Sequence, residues 1–287
     1  VRVLTILVRF GTQKYPQAEN DITRIFDEQM PSIERSVIVV DNALPREVVD
    51  NHGDVVVLGG DNNSFEFSGF DRALAYVGSD IWFYDLVHFA TSAFNTLHVA
   101  YLGRLDARVI GAITNRPACL GHIDCYNEPV EMLGFRSQHW IRSCFFFMPP
   151  AEVKALRSFV TIADPGRLFS GQPHAPFRDD APVSARYIRY IVDWVTGSDI
   201  GQGVEWHSGF ALTSETLSSF ERKALCIMNE HLLAIRLRAL GCRLIDVTWL
   251  ATQLSQARHS SVPWSTNWRD QLAGRDRDAL ILETGVR

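Results

Sequence analysis

SVIVVDN, residues 36–42, is the stretch from which the fold can be read. Val37, Ile38, Val39 and Val40 are consecutive β-branched residues, which describes a strand covered on both faces, as in a parallel sheet. The run stops at Asp41 and Asn42. VLTILVRF (3–10) before it and DVVVLGG (54–60) after it are runs of the same kind. Between the first two, Ile22, Ile25 and Phe26 fall at helical spacing within residues 19–30. After the third, GFDRALAYV (69–77) reads as a helix entered through Ser68 and Gly69. A β-α-β-α order of this kind predicts an α/β fold with a central, mostly parallel sheet flanked by helices. Ligands of such sheets bind beyond the carboxyl ends of the strands, which puts Asp41 and Asn42 in a ligand position. A plain Asx turn ending the strand is the competing reading. Asn62, Asn63 and Ser64 offer uncharged hydrogen bonds, and Ser68 with Gly69 can present helix-start N–H groups to an anion.

Further along, IWFYDLVHFA (81–90) reads as a fourth strand, and Leu97, Ala100, Tyr101 and Leu105 as a short helix. ARVIGAIT (107–114) reads as a fifth strand, and NRPACLGHIDCYNEP (115–129) as loop. HWIRSCFFFMPP (139–150) is a strand whose closing prolines open a helix over AEVKALRSF. Residues 164–186 hold four of the twelve prolines, the composition of a long surface loop or lid. RYIRYIVDWV (186–195) fits helix or strand. In IMNEHLLAIRLRALGCRLIDV (227–247), Met228, Leu232 and Ile235 continue an apolar stripe from Leu225. Gly241 sits at a left-handed C-cap, and CRLIDV resumes as a strand. Glu230 and His231 lie side by side on that helix, with Arg236 and Arg238 after them; alone it reads as an amphipathic core helix. One domain over 1–287 is expected, with a ligand-binding half over 1–115 and a second half over 116–287.

Net charge is −5 with no basic run, which argues against a nucleic-acid partner. No apolar run reaches the ~18–20 residues of a membrane span. Five scattered cysteines fit a reducing, cytoplasmic setting. Cys119, His122 and Cys125 match no standard zinc spacing. There is no Gly-x-Gly-x-x-Gly and no Walker loop. The chain opens on Val1 without a signal-like region.

SVIVVDN, GGDNNSFEFSGFDRAL, DLVHFATSAFN and WIRSCFFFM, in that order, resemble the small rhamnan-synthesis glycosyltransferases of bacterial surface polysaccharides, which have the GT-A fold. NEHLLAIRLRALGCRLI resembles the acidic-pair helix of family 2 inverting glycosyltransferases, in which the pair supplies the catalytic base. The resemblance covers roughly residues 1–160 and 220–247. It implies inverting transfer of a sugar, rhamnose first among candidates, from a dTDP-, UDP- or GDP-linked donor to a glycan or lipid-linked acceptor. The setting it implies is the cytoplasmic side of the membrane, with peripheral association.

For the donor nucleotide the resemblance implies Asp41 and Asn42 at the base and ribose, with Arg9, Phe10 and Gly11 beneath. Asn63, Ser68, Gly69, the Asp71–Arg72 pair of GFDRAL, Thr91 and Ser92 complete that side. His139, Trp140, Arg142, Ser143 and Arg236 are implied on the diphosphate and acceptor side. The base is Glu230 or His231. The family binds Mg²⁺ or Mn²⁺ through a carboxylate, yet Thr91, Ser92 and Ala93 occupy the matching positions. The expectation is therefore metal-independent chemistry, with Asp85 (or Asp80) as the ligand if a metal is used. Arg142 suits the leaving diphosphate, because its planar fork binds phosphate oxygens bidentately.

Overall fold

The structure is a computed structural model that describes residues 1–96, 99–162, 164–197, 209–256 and 267–275. It divides into two compact units. The first comprises Val1–Asp124, Ile141–Phe159 and Arg236–Arg287, and the second Cys125–Trp140 and Val160–Ile235.

The first unit is an α/β sandwich. Its strands begin with β1 (Arg2–Arg9), β2 (Glu34–Asp41), β3 (Val49–His52), β4 (Val55–Gly59) and β5 (Leu86–Thr91). β6 (Ala118–Met132) and β7 (Phe135–Met148), of which residues 125–132 and 135–140 are counted in the second unit, and β8 (Arg243–Asp246) complete an eight-stranded sheet in the order β3-β4-β2-β1-β5-β7-β6-β8. β1, β2, β4 and β5 are parallel, whereas β3 and β7 run antiparallel to their partners. Leu133 and Gly134 both have positive φ, which gives the two-residue turn that folds β7 back on β6.

Helix α1 (Ala18–Gln29) turns Ile22, Ile25 and Phe26 into the core, as their spacing predicts. Helix α2 (Glu66–Val77) starts at Glu66, two residues before the expected Ser68 entry. Gly69 is therefore inside its first turn. A Cβ there would come 2.7 Å from Val8 Cγ1, so the glycine lets α2 approach β1 closely. The expected strand over 107–114 is instead helix α3 (Ala107–Gly111). The Asp106 carboxylate accepts the N–H groups of Arg108 and Val109, an N-cap that starts a helix. The stretch expected as loop after it is β6. The fourth strand starts later than expected, because residues Gly78–Phe83 form a 3₁₀ turn. α4 (Pro150–Leu156) follows β7 as expected.

The second unit contains α5 (Ala185–Thr196), which settles RYIRYIVDWV as helix, and most of α6 (Leu217–Ala239). Leu225, Met228, Leu232 and Ile235 are buried as predicted, but so are Asn229, His231, Leu233 and Ala234. The helix is thus enclosed on more than one face, not amphipathic. It ends in a Schellman motif: Cys242 N–H donates to Leu237 O at 2.9 Å and Gly241 N–H to Arg238 O at 3.0 Å, with φ +85° at Gly241. Residues 164–184 run mostly without regular structure, as expected, tied by bridges Phe169–Phe177 and Met132–Val183. In the first unit, α7 (Val247–Gln256) follows β8, and α8 (Trp268–Ala273) is the last described helix. Among the described residues no helix is long and apolar enough to cross a membrane.

Candidate functional site

The chain leaves β1 toward β2 and β4 on one side, then crosses through α2 to β5 on the other. β1 and β5 are adjacent, so the strand order reverses between them, the place where open α/β sheets hold ligands. Arg9, Phe10 and Gly11 leave β1 there, Asp41 and Asn42 leave β2, and Thr91 and Ser92 leave β5. The Ser92 N–H donates to Val8 O at 2.9 Å, and that of Asn42 to Arg9 O at 2.8 Å. The sequence reading is right that these loops share one edge.

Asp41 is almost fully buried. Its Oδ1 accepts the N–H groups of Gly11 at 2.8 Å and Ala43 at 3.0 Å, and its Oδ2 accepts from Arg9 Nε at 2.8 Å. Burial works to raise this carboxyl, but the Gly11 and Ala43 N–H groups and Arg9 together hold it below the usual carboxylate range. Both oxygens are thus engaged in shaping the loop over residues 9–11, not in facing a ribose. The loop they shape leaves Phe10 64% exposed at the end of β1. Asn42 donates to Phe65 O at 3.1 Å and Asn62 Oδ1 at 3.3 Å, and its own Oδ1 is buried without a partner in the described structure.

Several expected ligand-side residues serve the fold instead. Ser68 Oγ accepts from Ser64 N–H and donates to Phe65 O, and Gly69 N–H donates to Phe65 O, so neither addresses an anion. Asn63 is exposed, with its N–H on Asp61 Oδ1 at 3.0 Å. Asp71 accepts from Ser158 Oγ at 2.6 Å and Phe159 N–H at 2.7 Å, and Arg72 donates to Gly59 O and Arg46 O. Arg236 donates to the carbonyls of Ser158 and Leu156, fixing the end of α4 rather than a diphosphate. Asp85 accepts the Arg2 N–H at the start of β5, and Asp80 lies in the 3₁₀ turn before it. Both are at the amino end, opposite the expected site.

The residues present therefore do not fit the divalent metal that the resemblance implies. Positions 91–93 carry no carboxylate, and the alternative acids are at the wrong end of their strand. Among the described residues no group of three or more His, Cys, Asp or Glu side chains is placed to hold a metal ion.

Arg142 and Ser143 lie just beyond the carboxyl end of β5, since β7 pairs Phe145 with Ala90. Ser143 Oγ donates to Glu66 Oε1 at 2.8 Å. Arg142 Nε donates to Asp124 Oδ2 at 2.6 Å, and His122 Nε2 is 3.4 Å from Asp124 Oδ1. Burial works to raise the Asp124 carboxyl, yet the Arg142 charge and the His122 contact hold it far below the usual range. Burial likewise disfavours charge on Arg142, and Asp124 overturns that, raising it above an ordinary guanidinium. Asp124 is the residue that sequence reading missed. The usable signal was Leu133–Gly134, since folding the hairpin there brings residue 124 level with 143.

In the second unit, His231 is enclosed. Tyr126 Oη is 2.5 Å and Tyr187 Oη 2.6 Å from its Nδ1, and the rings of Trp140 and Tyr126 lie 4.4 and 5.2 Å from it, centroid to centroid. Burial, chiefly, pushes both tyrosine hydroxyls well above their usual range, so they remain protonated. Glu230, its neighbour, is half-buried. Of the two candidate bases, the carboxylate is the one that meets solvent. His139 is buried in this unit, and its carbonyl accepts from Ser137 Oγ at 3.1 Å. Trp206, His207 and Trp264, aromatic residues of a kind that stack on sugar rings, lie outside the described residues; Trp268, of the same kind, packs under Arg269.

No protein-family model matches the chain, and no curated protein sequence matches it significantly.

Proposed function

We propose that the chain is an inverting glycosyltransferase of GT-A type. It would move a hexose, rhamnose first among candidates, from a nucleoside-diphosphate donor to a glycan or lipid-linked acceptor. The work belongs to surface-polysaccharide assembly at the cytoplasmic face of the membrane. The supporting observation is the reversal of strand order between β1 and β5, with an exposed Phe10 and the Arg142–Asp124 pair on the same carboxyl edge. In this reading the first unit binds the donor, Phe10 and the 9–11 loop meeting the nucleoside. Arg142 stabilises the negative charge that develops on the departing diphosphate, a role for directed donors where positions 91–93 carry no acid. A proton must leave the attacking hydroxyl, and Glu230 before His231 is the base in this reading.

A thermal-shift series with UDP, GDP and dTDP, each with and without Mn²⁺, tests the reading. One diphosphate should raise the melting temperature irrespective of Mn²⁺, since about 100 Kd of ligand adds roughly 2.7 kcal/mol. No shift with any of them would remove the nucleotide reading.

A second reading is a GT-A domain that binds sugar nucleotide or glycan without transferring it, as a partner subunit. The enclosure of His231 by two tyrosines and the absence of an acid at 91–93 favour it. Donor binding without turnover, with or without EDTA, would select it.

A further inference from the structure

The carboxyl edge of the first unit holds one polar cluster that the sequence did not flag as a unit: His122 and Asp124 on β6, Arg142 and Cys144 on β7, and Tyr101. An arginine engaged at Nε by a carboxylate keeps the outer edge of its guanidinium, formed by the two terminal nitrogens, for another partner. Those two nitrogens of Arg142 have no partner among the described residues, and the side chain is 18% exposed. His122 provides an independent observation. Its ring is 3% exposed, tilted by 35° against that of Tyr101 with centroids 5.0 Å apart, and its buried Nδ1 has no hydrogen-bond partner.

The backbone carrying the cluster is also held from behind. Ile123, between the two residues, donates its N–H to Asp246 Oδ2 at 3.0 Å, and its carbonyl accepts from Arg275 Nη2. Asp246 and Arg275 are themselves joined at 2.6 Å. Donors fixed before a ligand arrives bind it without paying to be ordered.

We infer that Asp124 is a positioning residue that holds Arg142 as a preset fork for a phosphate or diphosphate group, with His122 beside it. The fork stands on its own geometry; only the identity of the full ligand as a sugar nucleotide rests on the proposed function. The Arg142–Asp124 pair is formally neutral, so directed N–H groups, rather than net charge, do the binding. This separates positioning from plain electrostatics, because the two predict opposite signs when Asp124 loses its charge. Asp124→Asn removes a negative charge from the site. Electrostatics alone would then tighten anion binding, whereas a fork that loses its alignment weakens it. Arg142→Lys keeps the charge and removes the fork.

Calorimetric titration of the whole chain with inorganic pyrophosphate decides the matter. Both variants should weaken binding by about tenfold or more while melting temperatures confirm that they fold. Asp124→Glu should recover part of the loss. Absent binding to the unmodified protein, equal or tighter binding by Asp124→Asn, or unchanged binding by Arg142→Lys would each overturn the inference. If Asp124→Asn fails to fold, Arg142→Lys alone carries the test, since it leaves a partner for Asp124. Nucleoside diphosphates that bind no tighter than pyrophosphate would instead sink the sugar-nucleotide reading and leave the fork standing.

Discussion

Asp246→Ala should be among the most destabilising single changes in the first unit. Asp246 is fully buried at the end of β8 and serves three groups at once. Its Oδ1 accepts the Trp249 N–H at 3.0 Å, which caps the start of α7, and its Oδ2 accepts Ile123 N–H and Arg275 Nη2. Loss of an N-cap acceptor costs about 1 kcal/mol. A buried charge left alone when its partner is removed costs about 3–5 kcal/mol. The Arg275 side chain is only 7% exposed, so the larger figure applies unless the segment carrying it swings out. A total of about 4–6 kcal/mol would be a large part of the ~5–15 kcal/mol that holds a typical domain together. Urea unfolding followed by tryptophan fluorescence measures the loss as a shift in midpoint. The pair Asp246→Leu with Arg275→Met should be less damaging than Asp246→Ala alone, because no charge is then stranded. A single-variant loss under about 1 kcal/mol, or a double variant as unstable as the single, would refute this account of the clamp.

Three further outcomes follow from the structure. Gly69→Ala places a Cβ 2.7 and 2.8 Å from the two methyls of Val8, a stiff β-branched side chain, and should cost about 1–3 kcal/mol in urea unfolding. Asp41 and Asp124 titrate below ordinary carboxylates when folded, so the stability they confer is complete above the unfolded value of about 3.9 and is lost as pH falls toward their folded values. Unfolding free energy should accordingly drop on acidification below about pH 4–5, and Asp41→Asn should flatten that slope; an unchanged slope would discount the Asp41 share. Glu230→Gln should leave stability within about 0.5 kcal/mol and lower donor turnover by roughly 10²–10⁴-fold, whereas His231→Ala should destabilise by a few kcal/mol by opening a cavity against Tyr126, Tyr187 and Trp140. Unchanged turnover in both would show that this helix carries no base.

The parallel core was legible because β1, β2 and β4 announce themselves as uninterrupted apolar runs, the mark of strands covered on both faces. The same rule hid other elements. β3, VDNH, is an exposed antiparallel edge strand without an apolar residue after Val49. Along β6, Ala118 to Ile123 are all buried, so the alternation that betrays a half-covered strand is missing. ARVIGAIT misled because Val109, Ile110 and Ile113 fit either period; the Asp106 cap decided for helix. At the candidate site, local order revealed the 9–11, 41–42 and 91–92 loops. It could not reveal that Asp41 is spent on the loop backbone, that Arg236 grips the end of α4, or that Arg142 finds its partner 18 residues away across a hairpin. Those are tertiary choices among hydrogen-bond partners, and spacing along the chain does not encode them.

The division of the chain has a consequence for its biosynthesis. The first unit is interrupted: residues 160–235, between the end of β7 and the start of β8, belong to the second. A ribosome therefore releases β1 through β7 well before β8, the strand that completes their sheet, and before α8. Until Asp246 and Arg275 arrive, Ile123 lacks the partners that clamp it, and the β6 edge stands open to any other strand. Nascent chains halted before residue 243 should be the most prone to aggregate, and a chaperone that shields strand edges has its natural moment there.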